Sequence, residues 1–259
     1  MMEHTPVYDF VTVATLIGGG FLGAFIDSTV GGGGLITLPA LMTLGMPIPV
    51  TLGTNKFAAS CGAITSFYNF WRTGNVANSA LWLMVFSFIG SIIGANCVYF
   101  IPEKILKSII VAALVAVAIY TYFRKDWGDV PTAEKLSTGA LIGAVFMSAF
   151  MGFYDGFFGP GTGSFLIFGF LFLGFNFVTA AGNAKALNFA SNIGAFFAFG
   201  AGGSVIWGYG LIMGPAMMLG AYCGSRLAIK KGAAYVRPLF LIVTTVLIGK
   251  QVWDIVSKM

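Results

Sequence analysis

Four charged side chains, Asp27, Lys56, Asp155 and Lys185, stand inside or at the broken ends of stretches that are otherwise apolar. A charge in hydrocarbon costs roughly a few kcal/mol or more unless it faces protein, water or a partner, so each is a candidate functional residue. Lys56 follows Gly53-Thr54-Asn55 and Lys185 follows Gly182-Asn183-Ala184, each near the expected beginning of a helix after a Gly/Pro break. A helix N-terminus offers unpaired N–H groups and a partial positive charge, and a lysine one turn in adds a full charge beside them. That combination describes an anion site. Thr54, Asn55 and Asn183 add hydrogen-bonding groups, while Asn188, Ser191 and Asn192 lie farther along the second helix, where they would line a path. The competing reading of these polar residues is hydrogen bonding between helices, worth about 0.6–2 kcal/mol each in a membrane.

Asp27 and Asp155 sit just before glycine runs, 31–34 and 159–163. Three roles are open to them: capping a local helix N-terminus, pairing with the lysines so as to lock the broken segments, or exchanging a proton. The glycines themselves, Gly32, Gly33 and Gly161 in particular, would let backbone N–H groups approach an anion closely. They do not form a nucleotide loop, because the pattern G-x-x-x-x-G-K-[ST] is absent. The one histidine, His4, precedes the first apolar stretch, and Cys61, Cys97 and Cys223 are far apart without metal-ligand spacing. No metal site, cofactor or catalytic triad is therefore expected, and the only acids and bases available to an enzyme are the two Asp/Lys pairs.

The elements that must carry these residues are membrane helices. Hydrophobic residues make up 58% of the chain and charged residues 9%, with a mean hydropathy of +0.89, against roughly 45–50% and about 25% in soluble domains. So few charges cannot cover a soluble domain, and nucleic-acid binding, secretion and disulfide scaffolds drop out. The net charge of +5 is read as a loop signal for topology rather than as a polyanion surface. The opening MMEHTPVYD is acidic rather than basic, unlike a cleavable signal, so the first span is expected to be retained.

Apolar runs occupy 10–26, 52–71, 81–101, 105–123, 136–151, 180–199, 207–229 and 239–253, which gives eight expected spans. Two shorter pieces, 35–44 and 164–173, follow the glycine runs and are too short to cross alone. The chain also repeats itself. Asp27 and Gly31 match Asp155 and Gly159 at a spacing of 128, Gly45, Gly53, Lys56 and 74–76 match Gly174, Gly182, Lys185 and 203–205 at 129, and Gly90 and Gly94 match Gly220 and Gly224 at 130. Residues 1–125 and 134–259 are thus two membrane repeats joined by a polar loop at 126–133. If the short pieces count as crossings, Arg72, Arg124, Lys125, Lys135, Arg226, Lys230, Lys231 and Arg237 collect on one side and only Lys104, Lys107, Lys250 and Lys258 on the other. The positive-inside rule favours that count, which inverts the second repeat and puts both termini outside the cytoplasm. The expected fold is an all-α polytopic integral membrane protein with eight full spans and two short discontinuous segments, in two inverted halves.

FIDSTVGGGGLITLPALMTLGMPIPVTLGTNKF, with its second copy DGFFGPGTGSFL and GNAKALNFASN, resembles the TauE/SafE family of membrane permeases, also described as sulfite exporters. The resemblance covers essentially the whole chain. It implies a transporter of small sulfur-containing anions such as sulfite or organosulfonates, working as an exporter in the bacterial cytoplasmic (inner) membrane. The second copy departs from the first at Pro160 and at Asn183-Ala184, so the half-sites are not equivalent.

These observations lead to a secondary transporter working by alternating access around a site near the midplane. Lys56 and Lys185 would hold the anion's charge, and Thr54, Asn55, Asn183 and Asn188 its oxygens. Protons are the expected coupling ion, through Asp27 or Asp155. Asp27 is favoured, because its glycine turn leads to the intact Thr54-Asn55-Lys56 sequence. The other expected partners are the lipid bilayer and, as a homodimer, a second copy of the chain. Two other readings fit the same composition: a passive small-anion channel, which differs in kinetics rather than residues, and a non-transporting membrane subunit, which has no need of interior charges.

Overall fold

The computed structural model describes residues 7–102, 105 and 138–256, with side chains for 7–102, 105 and 139–232. His4, the expected span 105–123 beyond its first residue, and the loop 126–133 lie outside the described residues. The described residues form helices and no strand: α1 (Phe10–Val30), α2 (Gly34–Met42), α3 (Ile48–Arg72), α4 (Asn78–Val98), α5 (Thr138–Phe157), α6 (Thr162–Phe172), α7 (Phe177–Ala201) and α8 (Trp207–Val256).

Local sequence sets most of the boundaries. Asp9 caps α1 by accepting the Thr12 amide at 2.8 Å, and Asn176 caps α7 by accepting the Thr179 amide at 2.9 Å. The exposed Asp9 carboxyl is held below its usual range by these bonds to Thr12. α1 stops where Gly31 and Gly32 take φ of 78° and 91°, and α5 is followed by Gly159 and Gly161 at 86° and 78°, a backbone that side-chain-bearing residues rarely adopt. Pro49 falls in the first turn of α3, where its missing N–H costs nothing, so α3 begins at Ile48, before the expected 52. α7 likewise begins at Phe177 rather than 180. The expected spans 207–229 and 239–253 fall in α8, which is broken at Gly232 (φ 60°, ψ −160°).

α1, α4 and the stretch Gly139–Phe157 of α5 are each long and apolar enough to cross a membrane. Their outer faces carry exposed large apolar side chains, among them Trp82, Ile93, Phe146 and Phe150. α3 and α7 are longer, at 25 residues each, but bury their polar residues at the centre of the molecule.

Glycines decide the packing. Gly220 and Gly224 of α8 lie against the Phe21 and Phe25 carbonyls of α1, and Gly90 and Gly94 of α4 lie against the Ala149 and Phe153 carbonyls of α5. A glycine every four residues lets two helices touch backbone to backbone. Each repeat's first helix thus packs, in parallel, on the fourth helix of the other repeat. α3 also runs parallel to α8, with Phe57 beside Gly210, Cys61 beside Gly214 and Asn69 bonded to Ser225. At the centre α3 and α7 cross antiparallel: Phe57 meets Phe196, Phe67 meets Phe189, and Phe70 lies beside Gly182. α2 folds back along α1, Thr37 reaching Gly23 and Ala40 reaching Gly19.

Candidate functional site

The two glycine turns meet where α3 and α7 cross. Gly31 touches Gly163 and Ser164, and Gly34 faces Pro160, contacts that a side chain at Gly31 would prevent. Between them lies a cavity of about 40 Å³, polar and roomy enough to hold water. Its wall includes the end of α1 at Asp27, the turns at Gly32, Gly33 and Gly161, Asn55 and Lys56 of α3, Asp155 of α5, and Asn188 and Asn192 of α7. The first residues of α2 and α6, Gly34 and Thr162, also border it. Two short helices therefore aim the partial positive charge of their N-termini at one space.

The four charges pair crosswise between the repeats. Lys56 Nζ lies 2.8 Å from Asp155 Oδ2, and Lys185 Nζ lies 2.8 Å from Asp27 Oδ2. Neither lysine bonds the aspartate of its own repeat. This corrects the premise that favoured Asp27, since the carboxylate serving the Thr54-Asn55-Lys56 sequence is Asp155. Lys56 and Lys185 are each the ninth residue of their helix. They lie more than two turns in rather than one, beyond the free amides of α3 and α7, and the amides near the charges belong to α2 and α6 instead. Pro47 and Pro49 read as a break in the sequence, whereas Pro49 stands inside the first turn of α3.

The surroundings of the pairs differ. Asp155 is 3% exposed, and its Oδ2 also accepts the Ser191 hydroxyl at 2.6 Å. Asp27 is 21% exposed; its Oδ1 accepts the Gly33 amide at 3.3 Å, and both its backbone carbonyl and its Oδ2 hold Lys185. Lys56 is on the cavity wall, whereas Lys185 is fully enclosed and is not.

Thr54 and Asn183 are matching residues with matching tasks. Thr54 Oγ1 accepts the Ile206 amide at 3.0 Å and Asn183 Oδ1 accepts the Ala77 amide at 2.8 Å. Each holds the residue just before the other repeat's fourth helix, and neither borders the cavity. Asn55 does border it, and its buried Oδ1 accepts no hydrogen bond from the protein. Sequence reasoning placed Ser191 along a path but missed its bond to Asp155, and it missed Thr162 and Phe158, which also line the cavity.

A family model described as Sulfite exporter TauE/SafE matches residues 16–250. The chain belongs to that family. It is 38% identical over 237 residues to a probable membrane transporter protein of Haemophilus influenzae, covering 91% of this chain and 92% of the relative. A probable membrane transporter protein, ORF9, of Sinorhizobium sp is 40% identical over 92% of this chain and 91% of its own length. The probable membrane transporter protein YfcA of Escherichia coli K12 is 39% identical over 90% of this chain and 87% of its own. No solved structure gives a significant match. This TauE/SafE protein is an integral membrane transporter, and its helices carry the apolar outer faces that a bilayer requires.

Proposed function

We propose that the protein is a secondary transporter that exports small sulfur-containing anions across the bacterial cytoplasmic membrane by alternating access, holding the anion in the central cavity. The observation that carries this reading is Lys56, a buried lysine on the wall of a polar cavity whose partner carboxylate comes from the other repeat. An anion entering beside Asn55, Asn188 and the N-termini of α2 and α6 would compete with Asp155 for Lys56. Lys185, enclosed and held by two oxygens of Asp27, acts as a latch that positions the α1–α2 turn.

The same reading takes the repeats as inverted, with eight full spans and both termini outside the cytoplasm. It is supported by the antiparallel crossing of α3 and α7, by the return of α2 along α1, and by the division of basic residues between the two sides. The halves would rock about that crossing, exposing the cavity to each side in turn. A test is equilibrium binding of sulfite, thiosulfate and methanesulfonate to the protein in nanodiscs. At least one should bind saturably, and Lys56→Met should remove that binding. Equal binding in Lys56→Met would overturn the site, and a reporter on the C-terminus found in the cytoplasm would overturn the inverted topology.

A further inference from the structure

We propose that the anion moves together with one proton, and that Asp155 carries that proton. The inference rests on the anion-transport reading above and specifies its coupling. The buried charges around the cavity balance: two lysines and two aspartates in two pairs. Adding an anion gives the site a net negative charge inside the membrane. If Lys56 turns to the anion, Asp155 is left as a carboxylate 3% exposed, and an uncompensated buried charge is the costly outcome. A proton drawn from the water on the side of entry converts Asp155 to the neutral acid, and leaves with the anion when Lys56 returns, so export runs down the anion's own gradient and carries a proton out with it. Anion, Lys56 and neutral acid then sum to the same charge as the resting pair.

Geometry assigns this to Asp155 rather than Asp27. Lys56 faces the cavity, so it can exchange one acceptor for another without crossing the protein, whereas Lys185 does not reach the cavity. Ser191 stays beside Asp155 whether the carboxyl is charged or neutral, because a hydroxyl both donates and accepts. The groups around Asp155 are Lys56 from α3, Ser191 from α7 and Tyr154 on its own helix, with Asp27 and Lys185 across the cavity. Tyr154 is bonded to the Pro160 carbonyl at 2.6 Å, and α4 presents no charged side chain.

The test is uptake into proteoliposomes of ³⁵S-labelled methanesulfonate, an anion that does not itself titrate near neutrality, so that its own protonation cannot be mistaken for coupling. An inside-alkaline gradient of one pH unit should accumulate it about tenfold at one proton per anion, and a potassium diffusion potential should leave uptake unmoved. Asp155→Asn should still exchange labelled for unlabelled anion but lose the tenfold accumulation, its net uptake now following the potential. The double variant Lys185→Met with Asp27→Asn, which removes the second pair whole and leaves no unpaired charge, should keep its response to the pH gradient. Should Asp155→Asn fail to fold, Ser191→Ala provides the second reading: removing the hydroxyl beside the carboxyl should shift the pH of half-maximal uptake, and an unmoved profile overturns the assignment. Wild-type uptake that follows the potential and ignores the pH gradient overturns the coupling while leaving the transport reading intact. Gradient-driven accumulation surviving in Asp155→Asn overturns the assignment to that residue. Absence of saturable uptake of methanesulfonate, sulfite and thiosulfate overturns the transport reading, and the coupling with it.

Discussion

Lys56 and Lys185 occupy matching positions in α3 and α7, and each reaches an aspartate near the end of the other repeat's first helix. Around Lys56 and Asp155 the wall is polar: Asn188 and Asn192 border the cavity and Ser191 bonds the carboxylate. The residues of α3 that match these three are Ala59, Gly62 and Ala63. Packing explains the middle one, since a Cβ on Gly62 would stand 3.2 Å from the Met217 carbonyl oxygen. α3 approaches α8 closely there, and a serine would need the Met217 backbone to give way slightly. The repeat therefore fixes where the charges stand, while the distance between neighbouring helices decides which half can carry a polar lining. On the proposal above, Lys56 and Asp155 change partners while Lys185 and Asp27 hold the structure.

The largest expected effect breaks the comparison directly. Lys56→Met takes the partner from an almost wholly buried Asp155, at a cost of about 3–5 kcal/mol. Lys185→Met should cost less, because Asp27 is partly exposed and keeps the Gly33 amide. Neutralising the matching aspartate should restore thermal stability in both double variants, Lys56→Met with Asp155→Asn and Lys185→Met with Asp27→Asn. Only the second should regain anion binding. Thermal unfolding in detergent and titration in nanodiscs measure the two quantities, and recovery of binding by the first double variant would reverse the assignment of ligand and latch.

Much of this was legible in the residues. Composition and apolar runs give the membrane helices, and the 128–130 spacing pairs Gly53 with Gly182 and Lys56 with Lys185. The glycine runs announce the broken turns, because the positive φ of Gly31, Gly32, Gly159 and Gly161 is what ends α1 and separates α5 from α6. The crossing of the ion pairs was not legible. Periodicity along one chain says which residues are equivalent, but which copy touches which depends on packing between helices distant in sequence. The tasks of Thr54 and Asn183 were hidden for the same reason: their partners, Ile206 and Ala77, are 152 and 106 positions away.

A second prediction sharpens the comparison by asking where the halves are alike. A methyl on Gly53 would collide with the Ser204 carbonyl oxygen, and one on Gly182 with the Asn75 carbonyl oxygen, which is the same contact in the other repeat. Both obstacles are backbone, so the connections α7–α8 and α3–α4 must themselves shift. Gly53→Ala and Gly182→Ala should each destabilise by about 1–3 kcal/mol, by similar amounts. Thermal unfolding of the two variants in detergent checks this, and a cost in only one would show that the scaffold has diverged along with the site.

The smallest expected effect concerns Thr54 and Asn183, where hydrogen bonding between helices and anion binding predict different outcomes. Thr54→Val and Asn183→Leu keep nearly the same shape while removing the acceptor for the Ile206 or Ala77 amide. Loss of such a cap costs about 0.5–2 kcal/mol. Asn183→Leu should lie at the lower end, because it also removes a buried Nδ2 that has no partner, and that group costs free energy in the folded state. Anion affinity should stay within about twofold in both, since neither residue borders the cavity. If these residues were ligands the pattern would invert, with melting temperature steady and affinity falling tenfold or more. Thermal unfolding and anion titration on the same two preparations distinguish the cases, and the second pattern would move the binding site away from the cavity and toward the ends of α4 and α8.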